Sequence, residues 1–297
     1  MDLIRRLWRQ FRPSPAVPEP LHWRDGAIRD AWFDAHFHFA ADLVAEWLGP
    51  QLGAGRTLDF GCGDGITALG LILRHGAPDV LGVDISRTHE GLPKLAQREI
   101  ELNRLPEALR FQRIRVGETL RLAKPCHSII SWSTFEHIER PYLDRVIRNL
   151  HQLLADDGVM FIQINPLFYS PQGSHLGRFQ LPPWAHLLWS SQELEQAVLA
   201  FEGEIPADEL EENFHTRGFE GYKRWVLQEY AQLNRVTAAE LKLLFESHGF
   251  ETLREAYGTV AQEPPAMLLE QFPRDVLVTD ELRLLLRKRR PAGATET

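Results

Sequence analysis

The chain has 297 residues, of which 44% are hydrophobic and 25% are charged. This length and composition are typical of one large domain, or of a domain with a substantial insertion, that buries a sizeable core. A net charge of -8 argues against the basic surface of a general nucleic-acid-binding protein. Cys62 and Cys126 offer neither a disulfide framework nor a metal-ligand set, which favours a cytoplasmic protein. No apolar run reaches the ~20 residues of a membrane-spanning helix.

The N-terminal region, residues 1–26, combines a basic amphipathic segment with a proline-rich linker. In residues 1–12, apolar side chains recur at helical spacing and arginines fall between them. Such a segment is predicted either to make a weak peripheral contact with an anionic membrane or to be a flexible or protein-packed leader. A helix with apolar residues at helical intervals is then predicted up to residue 48.

The rest of the chain alternates apolar runs of strand length with amphipathic helices. Seven strands are predicted, near residues 57–60, 79–84, 109–115, 126–132, 158–164, 250–257 and 281–288. Alternation of this kind predicts an α/β fold with a doubly wound, mostly parallel sheet. The predicted core covers residues 27–165 and 237–290, and residues 291–297 are predicted to be a disordered tail. Residues 166–236 are too long for a connection and predict a helical lid inserted after the fifth strand.

The first strand runs into a glycine cluster, R-T-L-D-F-G-C-G-D-G over residues 56–65. A strand, a glycine turn and a helix in this order predict a site for a nucleotide-like ligand. The spacing departs from the dinucleotide fingerprint, because Ile66 stands where a third small residue is needed. Asp59 before the glycines would repel a pyrophosphate and favours a cationic ligand group. Asp84, which ends the second strand, is placed to accept the two hydroxyls of a ribose.

D-F-G-C-G-D-G followed by G-V-D-I-S resembles the class I S-adenosylmethionine-dependent methyltransferases. The resemblance implies S-adenosyl-L-methionine as cofactor and a seven-stranded Rossmann-like sheet whose last strand is antiparallel. It places the glycine loop under the methionine moiety, Asp59 toward the ammonium group and Asp84 on the ribose. The alternative is a tight turn with Asp84 as a helix cap. The predicted cofactor-binding residues are Asp59, Gly61, Cys62, Gly63, Gly65, Asp84, Ile85, Glu118 and Ser133.

Glu118 is included among these residues because the chain departs from the family pattern at the residue before it. Gly117 occupies the position where the family commonly has an acid near the adenine. Glu118 is therefore the candidate adenine contact, with an exposed surface glutamate as the alternative.

The fourth strand is followed by S-W-S-T-F-E-H-I over residues 131–138, which resembles the family segment whose Glu-His pair lies beside cofactor and substrate. His137 is predicted to accept a proton from an attacking hydroxyl or amine, because an imidazole titrates near neutral pH. The alternatives are that His137 bonds the backbone and that Glu136 only complements a helix dipole.

The insertion is dense in aromatic and histidine residues. Tyr169, Trp184 and His186 are predicted to contact the acceptor, and His175 is a second candidate proton acceptor. For the tryptophan, packing within the lid is the alternative. His175 and His186 lack a third ligand at recognisable spacing, so no metal site is predicted.

Together these features predict a methyltransferase that acts on a small-molecule acceptor at oxygen or nitrogen and has no nucleic-acid partner. Two alternatives stay open: a catalytically silent cofactor-binding scaffold, and a nucleic-acid methyltransferase. The sequence does not define an oligomeric state.

Overall fold

The computed structural model describes residues 20–26, 28–206, 209 and 212–289. The predicted basic segment at residues 1–12 and the predicted tail at 291–297 lie outside the described residues. Within the described part, none of the helices has the length and apolarity needed to cross a membrane.

Seven strands form one sheet in the order β3-β2-β1-β4-β5-β7-β6. Strand β7 pairs antiparallel with both of its neighbours, and the other strand pairs are parallel. This confirms the predicted α/β class, the strand number and the antiparallel last strand. The strands are β1 Arg56–Phe60, β2 Asp79–Asp84, β3 Leu109–Arg113, β4 Cys126–Trp132, β5 Leu154–Ile164, β6 Phe250–Thr259 and β7 Thr279–Lys288.

Both faces of the sheet are covered, because its central strands are apolar on both sides. Along β5, Met160 and Ile162 belong to one apolar cluster, and Phe161 between them belongs to another. Successive side chains of a strand point to opposite faces, so the two clusters are the two layers of the core. The α-helices are Ala31–Asp34, Ala41–Leu48, Ile66–Leu73, Leu92–Ile100, Arg140–Leu153, Ala185–Leu188, Ser191–Ala200, Glu212–Gln232, Ala238–Ser247, Ala266–Leu269 and Arg274–Val278.

The helical segment before the core begins at Ala31, and Asp30 caps it by accepting the Phe33 N–H. It continues to Leu48 through a π-helical stretch, Ala35–Ala40. A Cβ added at Gly70 would lie 2.6 Å from the Phe37 carbonyl oxygen. The absence of a side chain at Gly70 therefore lets the π-helical stretch pack directly on the helix that follows β1.

Strand β5 begins earlier than predicted. The strand was predicted near residues 158–164, yet β5 starts at Leu154, directly after a helix. The pairing shifts register between Cys126 and Ser128, so a bulge accommodates the two exposed aspartates.

Between β5 and the helix at Ala238, the described residues form a 3₁₀ turn at Leu176–Phe179 and the α-helices Ala185–Leu188, Ser191–Ala200 and Glu212–Gln232. These elements share an apolar cluster of their own, which includes Leu176, Val198 and Tyr222. Capping boxes begin two helices, with Ser190 and Glu193 in one and Thr237 and Glu240 in the other. The long helix Glu212–Gln232 is interrupted at Gly218, where φ is 67°.

Candidate functional site

A cavity of about 420 Å³ lies where the strand order reverses between β1 and β4. Ligands of open α/β sheets bind at this switch point, beyond the carboxyl ends of the strands. One part of the wall comes from loops of the core and another from the insertion. The predicted site residues on this wall are Gly61, Gly63, Asp84, Ile85, Glu118, Ser133, His137 and His175.

The glycine loop is folded tightly against the end of β2. The N–H groups of Gly61 and Cys62 both donate to the Val83 carbonyl, at 2.8 and 3.1 Å. Gly63 has a φ of 53°, and a Cβ added there would meet nothing within 4 Å. Gly63 therefore leaves open space at the cavity wall, which is the cradle that a closely bound ligand needs.

Asp84 holds the loop from the end of β2. Its two carboxylate oxygens accept the Gly63 N–H at 2.9 Å and the Ser86 N–H at 2.7 Å. A carboxylate oxygen accepts more than one hydrogen bond, so Asp84 retains capacity for ligand hydroxyls on the cavity side.

Three carboxyl groups converge beside the glycines. Asp59 is 3% exposed, and burial together with the charges of Asp84 and Asp64 raises its pKa to about 8. A ligand that carries positive charge would relieve this repulsion, and a polyphosphate would increase it. The chemistry of this group of residues therefore fits the sulfonium and ammonium groups of S-adenosylmethionine.

The leading helix reaches the same loop. Trp32 lies on the cavity wall, and its Nε1–H donates to the Asp64 carboxylate at 2.7 Å. The same carboxylate accepts the Ile66 N–H at 3.0 Å. Asp64 therefore caps the helix after the glycine loop and ties it to the segment that precedes the core.

The turn after β4 places the Glu-His pair. Ser133 adopts a φ of 44°, and its N–H donates to the Gln163 carbonyl at 2.9 Å. Glu136 is 4% exposed, and burial raises its pKa to about 8. His137 lies on the cavity wall, where burial, followed by the nearby Arg178 charge, lowers its pKa to about 4. At neutral pH the imidazole is therefore uncharged, which is the form that accepts a proton.

Asn234, from the end of the insertion, fixes this turn. Its side-chain amide donates to the carbonyls of Phe135 and Ile138 at 2.5 and 2.9 Å. Its backbone N–H donates to the Glu136 carbonyl at 2.9 Å. The turn that carries Glu136 and His137 is thus held by β5, through Gln163, and by the insertion, through Asn234.

The insertion contributes His175 and Arg178 to the wall. The His175 ring lies 5.1 Å from the His137 ring, and burial, followed by the charge of His137, lowers its pKa well below the usual range. The guanidinium of Arg178 is 3.0 Å from Glu209 and also contacts the Tyr222 hydroxyl. The two candidate proton acceptors thus meet across the cavity from different parts of the chain.

Several predicted site residues lie off the cavity wall. Trp184 is buried, and its indole N–H donates to the carbonyls of Tyr169 and Leu277. The His186 ring pairs with the Phe168 carbonyl at 2.7 Å. His186 therefore packs within the insertion, whereas Trp184 and Tyr169 pack the insertion against the segment before β7, through Leu277 and Phe272. Asp59, Cys62 and Gly65 are likewise not among the residues that line the cavity.

Other wall residues were not predicted. Trp32, Asp64, Thr134, Arg178, Trp225 and Glu229 all line the cavity. Of these, Asp64 lay within the recognised glycine motif and Thr134 within the recognised segment at residues 131–138, so both could have been included. The others come from distant helices and turns, for which spacing along the chain gives no signal.

A family model described as a methyltransferase domain matches residues 33–255, well over half of the chain. An uncharacterized protein of Synechococcus sp. is 24% identical over 195 residues, covering 65% of this chain and 40% of that protein. The chain spans less than half the length of the curated relatives it matches.

Solved methyltransferase structures also resemble the chain. An S-adenosylmethionine-dependent methyltransferase from Anabaena variabilis is 15% identical, with a TM-score of 0.48 and 87% of each chain covered. PKMT2 from Rickettsia typhi, solved with AdoHcy, is 16% identical, with a TM-score of 0.49 and coverage of 86% of this chain and 54% of that one. From the match to the family model, the chain belongs to the methyltransferase domain family, and its loop, Asp84 and acidic cluster fit S-adenosylmethionine as the cofactor.

Proposed function

We propose that the protein transfers a methyl group from S-adenosylmethionine to a small-molecule acceptor, at oxygen or nitrogen. The observation that carries this proposal is the shared cavity. Its lining combines the glycine loop and Asp84 with His137 from the turn after β4 and His175 from the insertion. A cavity of about 420 Å³ is within the usual range for small-molecule sites.

The chain's own residues would bind, orient and enclose the reactants. Asp84 would hold the ribose hydroxyls, and the glycine loop would support the rest of the donor. The bound cofactor supplies an activated methyl group on a sulfonium, so much of the acceleration would come from positioning, an effect worth up to ~7–11 kcal/mol. The insertion would exclude water and select the acceptor.

The two histidines would handle the acceptor's proton. Both are kept uncharged by burial, so each offers a lone pair at neutral pH. His137 is carried by the rigid turn after β4 and His175 by the insertion, so either can face an acceptor bound between them. An oxygen or nitrogen nucleophile loses its proton as the new bond to carbon forms, and a nearby imidazole would receive it.

The test is transfer of labelled methyl from S-adenosylmethionine to a panel of small alcohols, phenols and amines, with nucleic acid and protein as further acceptors. Turnover on a small acceptor, lost in Asp84→Ala, is the expected result. Binding of the donor without transfer to any acceptor would favour the scaffold alternative. Transfer confined to nucleic acid or protein would overturn the choice of a small molecule.

Single substitutions at the two histidines separate acceptor chemistry from donor binding. We expect His137→Ala and His175→Ala to lower turnover while donor affinity stays within about twofold, because the two side chains come from the turn after β4 and from the insertion and not from the glycine loop or the end of β2. Wild-type kinetics in both variants would remove them from the mechanism.

A further inference from the structure

Three potential ligand atoms meet at the edge of the cavity, where His137 and His175 line the wall and Glu136 directly precedes His137 in the chain. Glu136, His137 and His175 each offer one nitrogen or carboxylate oxygen, and these atoms all lie within 4.8 Å of one another. They are contributed by the turn after β4 and by the insertion, segments separated by nearly forty positions. From the sequence, His186 was the residue considered as a second metal ligand beside His175. In the structure, the His186 ring instead contacts the Phe168 carbonyl.

Glu136 is buried and both histidines are half-buried, yet the cluster lacks the hydrogen bonds that buried polar atoms normally make. Among the described residues, neither oxygen of Glu136 has a hydrogen-bond partner. The same holds for Nδ1 of His137 and Nε2 of His175 within that part of the chain. An unsatisfied buried polar group costs about 1–3 kcal/mol, so unpartnered atoms on three residues that converge within 4.8 Å indicate a shared ligand.

The charges around the cluster are compatible with a cation. Glu229 lies on the cavity wall with a carboxylate oxygen 3.7 Å from Nδ1 of His137, and it provides a second negative charge next to the cluster. Arg178 is the positive group nearby, but its guanidinium is 3.0 Å from the Glu209 carboxylate. That ion pair limits the repulsion that Arg178 would exert on a cation.

The backbone holds the ligand atoms in place. Asn234 fixes the Glu136–His137 turn through three hydrogen bonds to its carbonyl groups. His175 is held by donation of its N–H to the Gln172 carbonyl at 2.9 Å. Residues positioned in this way need only small side-chain movements to close on an ion.

We propose that Glu136, His137 and His175 bind a divalent transition metal of the Zn²⁺ class, in a site with one position open to the cavity. Two imidazoles and one carboxylate are a recognised ligand set for such ions, whereas Mg²⁺ and Ca²⁺ prefer oxygen ligands alone. Tetrahedral ligands at about 2.1 Å from the ion lie roughly 3.4 Å apart, so the side chains would contract by about 1 Å on binding.

This inference deepens the proposed function in one respect and otherwise does not depend on it. With an ion bound, the two imidazoles are ligands, and this replaces the proton-accepting role proposed above for the metal-free protein. The open position would receive the acceptor oxygen, whose pKa the metal would lower so that its proton passes to water. Metal binding itself needs neither donor nor acceptor. Its test can therefore succeed or fail independently of methyl transfer.

The experiment is calorimetry of the full-length, chelator-treated protein with Zn²⁺ alone. We expect one equivalent to bind, and Mg²⁺ in excess not to compete. Glu136→Gln and His175→Asn should each weaken Zn²⁺ binding by at least about tenfold, because each removes one of three ligands. Replacement by Co²⁺ should give visible absorption typical of a mixed nitrogen and oxygen site, and this signal should vanish in both variants.

The matched control is His22→Ala, which removes an exposed histidine outside the cavity. It should leave Zn²⁺ affinity and stoichiometry unchanged. Donor binding and thermal unfolding of every variant confirm that it is folded. The proposal is overturned if the wild type binds no Zn²⁺, if folded Glu136→Gln and His175→Asn bind it like the wild type, or if His22→Ala loses it as they do.

Discussion

The Asp84 carboxylate accepts the Gly63 N–H at 2.9 Å, so the acid that ends β2 also holds the central glycine of the β1 loop. The two predicted cofactor elements are therefore one structural unit. A change at Asp84 should affect the ligand directly and should also release the loop that lies under it.

We expect Asp84→Ala to weaken S-adenosylmethionine binding by well over tenfold. A charged acceptor of hydrogen bonds is worth about 1.5–3 kcal/mol, and the substitution also removes the bond to Gly63. Calorimetry with the donor measures the loss. Asp157→Ala, at an exposed position in the bulge of β5, is the control and should bind normally. Unchanged affinity in Asp84→Ala would contradict its assignment to the ribose.

Gly63→Val should abolish donor binding without unfolding the protein. The new side chain would project into open space at the cavity wall, where the ligand is expected. Gly76→Val is a close control, because Gly76 also has a positive φ, of 69°, and open space around its Cβ, but lies off the cavity. Both variants should lose a similar ~1–2 kcal/mol of stability to backbone strain. Equal donor affinity in the two would show that the loop does not approach the ligand.

The fold could be predicted closely because its signals are local. Apolar runs separated by amphipathic helices predicted all seven strands. The glycines of residues 61–65, with Asp84 at the end of the next strand, predicted the loop after β1. The misplaced start of β5 has a physical reason: Asp156, Asp157 and Gly158 have turn chemistry, yet a bulge against β4 keeps them in the strand. The π-helical stretch at Ala35–Ala40 likewise depends on packing against Gly70, which no local pattern reports.

The site could be predicted only where its residues belong to one motif. Gly61, Gly63 and Asp84 reach the cavity because the ends of adjacent parallel strands meet at one edge. Tyr169, Trp184 and His186 were chosen for their chemistry in an insertion whose path is irregular, and they lie off the wall. Arg178, Trp225 and Glu229 reach the wall through the packing of insertion helices, which depends on contacts distant in sequence.

Asp59→Asn should stabilise the ligand-free protein at neutral pH. The pKa of Asp59 is about 8 in the folded protein, whereas an unfolded chain would give about 3.9. The folded state therefore binds the Asp59 proton more tightly than the unfolded chain does, and this tighter binding stabilises the fold. The stabilisation is fully present below pH ~4 and is lost as the pH rises toward 8. Asparagine cannot ionise, so the variant escapes that loss.

The measurement is thermal unfolding at pH 5 and pH 7.5. We expect the unfolding midpoint of Asp59→Asn to exceed that of the wild type by a larger margin at pH 7.5. The same variant should bind S-adenosylmethionine more weakly. A cationic donor favours the negatively charged form of Asp59, and asparagine cannot carry that charge. Asp157→Asn should show neither effect. A lower midpoint for Asp59→Asn at pH 7.5 would contradict the burial of a protonated carboxyl.

Trp32→Phe should weaken donor binding while leaving the fold intact. The indole N–H donates to Asp64 at 2.7 Å and the ring lies on the cavity wall, so it joins the segment before the core to the glycine loop. Phenylalanine keeps most of the apolar contact but leaves that hydrogen bond unmade, which for a charged acceptor costs about 1.5–3 kcal/mol. Part of this cost should appear as a several-fold lower affinity for S-adenosylmethionine in calorimetry. Trp189→Phe, a partly exposed tryptophan of the insertion that is off the cavity, serves as the control. If the two variants bind the donor equally, the leading helix covers the site without contributing to ligand binding.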